Sequence, residues 1–358
     1  MPPNPEFDEH GFPLNNHSFP SASTPEEKAT VISKRTWKWV LVVAFLLGVI
    51  GLYGKQGVSY LLVRRATDKF RSGDMAGATY DLEQAARWSP DNLSVYELRA
   101  EMHLRQDKVD AALADLDQMA RISPDSPRVF LVRGKILEER GDWKGAEADF
   151  TRLIALQPDK TEGYQHRSRI YQRQSFAIPG VNKHRQAVDD LSEIIRLDSS
   201  NDPMTYNNRA YARALGNIEL EAGLEDAEKA VDLLDPLFAQ YKAVEPTAPL
   251  AAKSSWAAIL DTRGHLHYLL GHHDKALEDL QTAVKMAEEC TKLPEEALQK
   301  TSANLELRQQ AMKEVDQTLS VLYHHRGEIL QALNQSEAAQ ADLDLARQLG
   351  YNPAGGVF

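Results

Sequence analysis

Residues 93–124 read LSVYELRAEMHLRQDKVDAALADLDQMARISP, and residues 127–158 read PRVFLVRGKILEERGDWKGAEADFTRLIALQP. Offset by 34 positions they align without a gap: Tyr96 on Phe130, Ala100 on Gly134, Asp107 on Gly141, Ala112 on Ala146, Leu116 on Phe150, Met119 on Leu153 and Pro124 on Pro158. A further copy lies 34 positions upstream, with Leu62, Ala66, Gly73, Ala78, Leu82, Ala85 and Pro90 in the same places. A fixed period of this size is the signature of stacked helical units. Each feature has a physical reason. A large residue and a small one four positions later share a helical face. Ala100 and Gly134 are small where the two helices of one hairpin approach closely. Gly73 and Gly141 permit the left-handed conformation that ends a first helix, and Pro90, Pro124 and Pro158, lacking a backbone N–H, stop the second. Leu82, Leu116 and Phe150 fill the seam between neighbours. No such hairpin buries its apolar face alone, so three or more must stack.

The same unit returns downstream with insertions. Tyr164, Ser168 and Tyr171 open a fourth hairpin, which Ala187, Leu191 and Ile194 close, with an enlarged turn around Ile178-Pro179-Gly180. A fifth carries Tyr206, Ala210 and Gly216, then Gly223, Ala227 and Ala230. A sixth carries Leu260, Gly264 and Gly271, then Ala276, Leu280 and Ala283; a seventh carries Tyr323, Gly327 and Asn334, then Ala339, Leu343 and Ala346. The prolines at 236, 246 and 249 predict an irregular connection after Asp235.

The pattern resembles the tetratricopeptide repeat over roughly residues 59–352. The resemblance implies an all-α, right-handed superhelical solenoid of about seven hairpins. Hairpins 1–5 fall on 59–235, a connector on 236–256, and hairpins 6–7 on 257–352 with a long helical insert at 288–319, before a tail at 353–358. It further implies that a protein or peptide partner lies along the concave face made by the first helices. Carried over to this chain, the partner-facing positions are Glu97, Glu101 and Arg105; Lys135 and Glu139; Arg169 and Arg173; Asn207 and Tyr211; Asp261, His265 and Tyr268; and His324 and Glu328. Lys135, Arg169 and Asn207 follow one another along that surface but do not reproduce the family's full carboxylate clamp.

Ahead of the repeats, Trp39 to Tyr53 is an unbroken run of apolar, aromatic and glycine residues. It predicts a single transmembrane helix at 37–55, short for a bilayer, with Trp37 and Trp39 at one boundary, Tyr53 at the other, and Lys34, Arg35, Lys38 and Lys55 placed to snorkel. The proline-rich residues 1–24 read as a disordered tail, and 25–36 as a juxtamembrane helical segment started by Thr24-Pro25. Three of the four flanking charges precede the run, which by the positive-inside rule predicts a cytoplasmic N-terminus and exported repeats.

The net charge of -11, with no basic run after residue 55, excludes a nucleic-acid surface built on phosphate contacts. Cys290 is the only cysteine, so no intrachain disulfide forms. An enzyme needs a convergent polar cluster. The best candidate is histidine-rich: His265, His267, His272 and His273 with Asp274 around the sixth turn, and His324-His325 at the seventh hairpin. Their spacing does not match a metal-ligand set, and they read as solvated turn histidines beside packed ones. Arg99, Arg133, Arg167, Arg209, Arg263 and Arg326 recur directly before the small residue and read as structural, with packed stems and solvated heads. The expectation is therefore a membrane-anchored, non-catalytic scaffold with no cofactor and no metal. The alternatives are a cytosol-facing adaptor of import-receptor or co-chaperone type and, third, a histidine-metal enzyme.

Overall fold

The computed structural model describes residue 10 and residues 34–244, 250–291 and 305–351. The expected disordered tail, the helix start at Thr24-Pro25, most of the 25–36 segment and the 353–358 tail lie outside the described residues. The chain divides into two compact units, Met1–Asn92 and Leu93–Phe358.

In the first unit, α1 (Lys34–Arg71) and α2 (Met75–Trp88) form one antiparallel hairpin. Their registry is set by Lys69 Nζ donating to the Gly77 carbonyl at 3.3 Å, Arg65 on Asp81, and Ser59 Oγ donating to the Ala85 carbonyl at 3.0 Å. Helix α1 passes without interruption from the apolar run into the hairpin. Gly54 and Gly57 weaken a helix by only about 1 kcal/mol each relative to Ala and remove no hydrogen bond, so they do not end it. Trp37, Trp39, Val40 to Val43 and Phe45 are exposed along α1. Among the described residues no helix is long and apolar enough to cross a membrane. The side chains at 46, 47, 49, 50, 52 and 53, including the expected boundary residue Tyr53, lie outside the described residues.

The second unit is helical throughout its described residues: α3 (Leu93–Arg105), α4 (Val109–Ile122), α5 (Pro127–Glu139), α6 (Trp143–Leu156), α7 (Thr161–Ala177), α8 (His184–Leu197), α9 (Pro203–Gly216), α10 (Leu220–Val244), α11 (Leu250–Leu269), α12 (His273–Thr291), α13 (Leu305–Ala332) and α14 (Ser336–Gln348). Odd and even members pair as hairpins, and each second helix packs on the first helix of the next hairpin. The repeating apolar positions form the core, with Ala112, Leu116, Ala146, Phe150, Ala187, Leu191, Ala276 and Leu280 all buried.

The close approach read from the small residues is present. A Cβ placed on Gly134 meets the Phe150 ring at 2.7 Å, and one on Gly327 meets Leu343 at 2.9 Å. Gly134→Val should therefore cost about 1–3 kcal/mol by overpacking. Combining Gly134→Ala with Phe150→Leu, the pairing that Ala100 and Leu116 already use, should restore most of it; urea unfolding midpoints check both.

Left-handed residues end the first helices as expected at Gly73 (φ 87°), Gly141 (φ 76°), Gly271 (φ 80°) and Asn334 (φ 61°), and Asp107 takes the same conformation (φ 57°). In the fifth hairpin the role moves from Gly216 to Asn217 (φ 48°). Gly216 is small for another reason: a Cβ there lies 2.8 Å from the His184 Cβ. The connector after Asp235 also differs from expectation. Helix α10 runs through Pro236 to Val244, and α11 begins at Leu250. A proline in a helix interior loses one backbone hydrogen bond and disturbs the preceding turn, but the remaining hydrogen-bond ladder can carry the helix past it.

Candidate partner-binding surface

The recurring arginines have a function other than the one their stems suggested. Their heads are engaged by carboxylates: from Arg99 to Arg326 the side chains are at most 25% exposed, while Arg65 keeps 57% exposure. Each first-helix arginine donates from Nε to a buried aspartate on the second helix of its own hairpin: Arg65 to Asp81 at 2.7 Å, Arg99 to Asp115 at 2.9 Å, Arg133 to Asp149 at 2.8 Å, Arg167 to Asp190 at 2.9 Å, Arg209 to Asp226 at 2.7 Å, Arg263 to Asp279 at 2.9 Å and Arg326 to Asp342 at 2.6 Å. A second guanidinium nitrogen completes a fork on the other carboxylate oxygen in these pairs, the bidentate geometry that makes such bonds strong. In three hairpins the remaining nitrogen reaches back to the preceding second helix: Arg133 to Asp117 at 2.7 Å, Arg167 to Thr151 at 3.1 Å and Arg209 to Ser192 at 3.1 Å. One side chain thus holds its own hairpin closed and fixes its register on its neighbour. The aromatic at the hairpin's opening position lies against the guanidinium, as with Arg99 over Tyr96, Arg133 over Phe130 and Arg326 over Tyr323. The hydrogen bond from Arg65 holds the Asp81 carboxyl below its usual range, and bonding to aspartate raises Arg133, Arg167, Arg263 and Arg326. Burial pushes Asp190 the other way, upward, against its arginine. These arginines are occupied by the fold.

The remaining polar groups on the first helices fall into two sets. Across α3, α5 and α7, Glu97 pairs with Arg128 at 2.7 Å, Lys135 reaches Glu162 at 3.4 Å, and Glu101 pairs with Arg105 along α3 at 2.9 Å. Glu139, Arg169 and Arg173 are exposed. Arg169 also approaches the buried Glu138 at 3.4 Å, which His166 Nδ1 meets at 3.3 Å while its ring stacks on Phe150 at 4.7 Å. Burial works against charge on Glu138, but the His166 hydrogen bond with Arg169 and Arg173 beside it outweighs that, and its pKa is lowered. Glu138 and His166 were not among the expected positions: they pair from helices 28 residues apart, a contact that exists only once the hairpins are stacked.

The second set gathers on α9, α11 and α13. Asp261 is buried and meets His325 Nδ1 at 2.7 Å. His265 stacks on His325 at 5.1 Å and lies 6.3 Å from the Tyr268 ring. His324 stacks on Tyr351 at 3.9 Å and approaches Glu328 at 3.5 Å. Burial, with Asp261 near, raises the Tyr211 phenol. Burial, reinforced by charge on His325, pushes His265 down to about 4. For His325, burial opposes the charge, but the Asp261 carboxylate in contact outweighs it and the pKa is raised. The expected positions Tyr211, Asp261, His265, Tyr268, His324 and Glu328 therefore come together, with His325 and Tyr351 added. Asn207, also among the expected positions, is buried, and its Oδ1 has no hydrogen-bond partner. Among the described residues, no group of three or more His, Cys, Asp or Glu could hold a metal ion.

Residues 63–127, 100–171 and 257–290 each match a family model described as tetratricopeptide repeat. Comparison with curated proteins gives no match. Similar solved structures include a tetratricopeptide repeat protein from Parabacteroides merdae, 16% identical, with 83% of this chain and 94% of that chain covered and a TM-score of 0.44. MamA from residue 41 onward, from Desulfovibrio magneticus, is 19% identical, with 55% and 96% covered and a TM-score of 0.43. PilW, a type IV pilus biogenesis factor, is 18% identical, with 63% and 91% covered and a TM-score of 0.37. Over residues 63–171 and 257–290 this chain thus carries tetratricopeptide repeats.

Proposed function

We propose that the protein is a membrane-anchored, non-catalytic scaffold whose first helices receive a protein or peptide partner. The observation that carries the partner-binding half is the division of labour among its charges. The buried arginine–aspartate forks hold the hairpins, while Lys135, Glu139, Arg169 and Arg173 stand on first helices outside that framework, with Lys135 and Arg169 steadied by pairs to the next or preceding hairpin. Steadied side chains lose less rotamer entropy when a partner binds, which favours recognition at modest cost. The anchoring half is supported by the apolar run and by Trp37, Trp39, Val40, Leu41, Val42, Val43 and Phe45, all exposed along one continuous helix. Tethering concentrates the repeats near membrane partners, so modest affinity per site suffices. The flanking charges favour a cytoplasmic N-terminus with the repeats exported.

Full-length protein should resist alkaline carbonate extraction, and deletion of residues 37–55 should release it quantitatively to the supernatant while its helical circular dichroism persists. A deletion variant that still pellets with membranes defeats the anchor. Protease added outside intact cells should digest the repeats; their protection favours the cytosol-facing adaptor. Removing charge with Arg169→Gln and Arg173→Gln should weaken partner capture, with the melting temperature lowered only by the loss of their charge beside the buried Glu138.

A further inference from the structure

We infer that the end of the α1–α2 hairpin bearing Val58, Tyr60, Leu61 and Trp88 sits in the headgroup layer of the bilayer, so the first hairpin is seated on lipid and not held away by a linker. The inference rests on the anchor reading above and adds where the repeats begin.

The argument starts from length. A hydrocarbon core of about 30 Å takes about 20 helical residues at 1.5 Å each. Trp39 to Tyr53 falls short of that. A span shorter than the core draws its flanks inward or thins the bilayer. Centred on the run, the hydrocarbon reaches roughly residue 56, and the interfacial layer a further 5–8 Å, which is about three to five residues. Because α1 continues as helix through this stretch, the residues next in line are already part of the hairpin.

At that level the surface is aromatic and aliphatic. Tyr60 is 66% exposed, Leu61 62%, Trp88 47% and Val58 37%. Trp88 belongs to another helix, and its height is fixed by contact. The buried Ser59 donates to the Ala85 carbonyl and accepts from Asn92 Nδ2 at 2.9 Å, so the C-terminal end of α2 lies beside residue 59 of α1. The antiparallel course carries Trp88, one turn past Ala85, toward the level of residue 56. Exposed Lys55, Arg64 and Arg87 stand around this end. Tryptophan and tyrosine with flanking basic stems are the chemistry of the membrane–water boundary.

The test places full-length protein in phosphatidylcholine vesicles as two single-tryptophan variants. One keeps Trp88 and the other Trp39, with phenylalanine at the remaining four of the five tryptophans. Lipid spin-labelled at the headgroup should remove most of the Trp88 emission, with a blue-shifted maximum, while aqueous iodide removes little. Trp88 open to iodide and untouched by labelled lipid, with Trp39 still quenched by lipid, overturns the seating and leaves the anchor. Trp88 shielded from both quenchers, with cross-linked dimers, assigns this end to a second copy and also overturns it. If neither tryptophan responds to labelled lipid, the anchor fails as well.

Discussion

Replacing Asp149 with alanine should destabilise the second unit by about 3–5 kcal/mol, because it leaves the Arg133 guanidinium half-buried and deprived of its fork. The Asp149 side chain is 5% exposed and that of Arg133 19%, so solvent screens the pair weakly. Arg133 also meets Asp117 on the preceding hairpin, so the loss loosens two junctions, closure of α5 on α6 and registry of α5 on α4. For a unit of this size, that corresponds to a fall in melting temperature of about 5–9 °C. Arg133→Met in the Asp149→Leu background should recover much of the loss, since an apolar pair avoids burying charge. Repeat arrays behave as nearest-neighbour chains, so amide exchange should rise first in α4 to α6. A double variant as unstable as Asp149→Ala counts against the fork as the source of the effect.

The hairpins were legible because their information is local and periodic. Ala100, Gly134 and the prolines mark close approach and helix ends at a spacing that survives reading along one strand of text. The forks were half legible. Arginine was seen to recur, but its partner recurs too: an aspartate stands immediately before Leu82, Leu116, Phe150, Leu191, Leu280 and Leu343. Reading each arginine alone gave it solvent; reading the two columns together supplies the ion pair. Pro236 reports only a missing N–H, which does not by itself end a helix, and α10 continues through it to Val244. The site was the least legible part. Asp261 and His325 are 64 positions apart and meet only because α11 and α13 lie side by side, a result of packing that periodicity does not encode.

Acidification should act on that contact with a sign fixed by its two histidines. His265 is held at about 4, below the ordinary value of 6.5, so its contribution to stability is present above pH 6.5 and disappears as pH falls through 4. At about 1.4 kcal/mol per pKa unit, the loss over that window is on the order of 3 kcal/mol. His325 runs the other way. Its pKa is raised, so its pairing with Asp261 contributes fully below 6.5 and is lost as pH rises through the folded-state value. Charging His265 also sets it against His325, whose ring is 5.1 Å away, within a surround formed by Tyr211, Glu328, His324 and Tyr351. Stability should therefore fall on both sides of the mid-6 region, more steeply toward acid, where burial also keeps His103, His184, His267 and His324 low. Replacing His265 with leucine should remove its share: the gap in unfolding free energy between variant and parent should shift in the variant's favour by a few kcal/mol between pH 7 and pH 4. A gap that stays constant across that range means His265 does not titrate as its burial requires. Asp261→Asn isolates the opposite limb, stripping His325 of its counter-charge and lowering stability most at pH 6 and below.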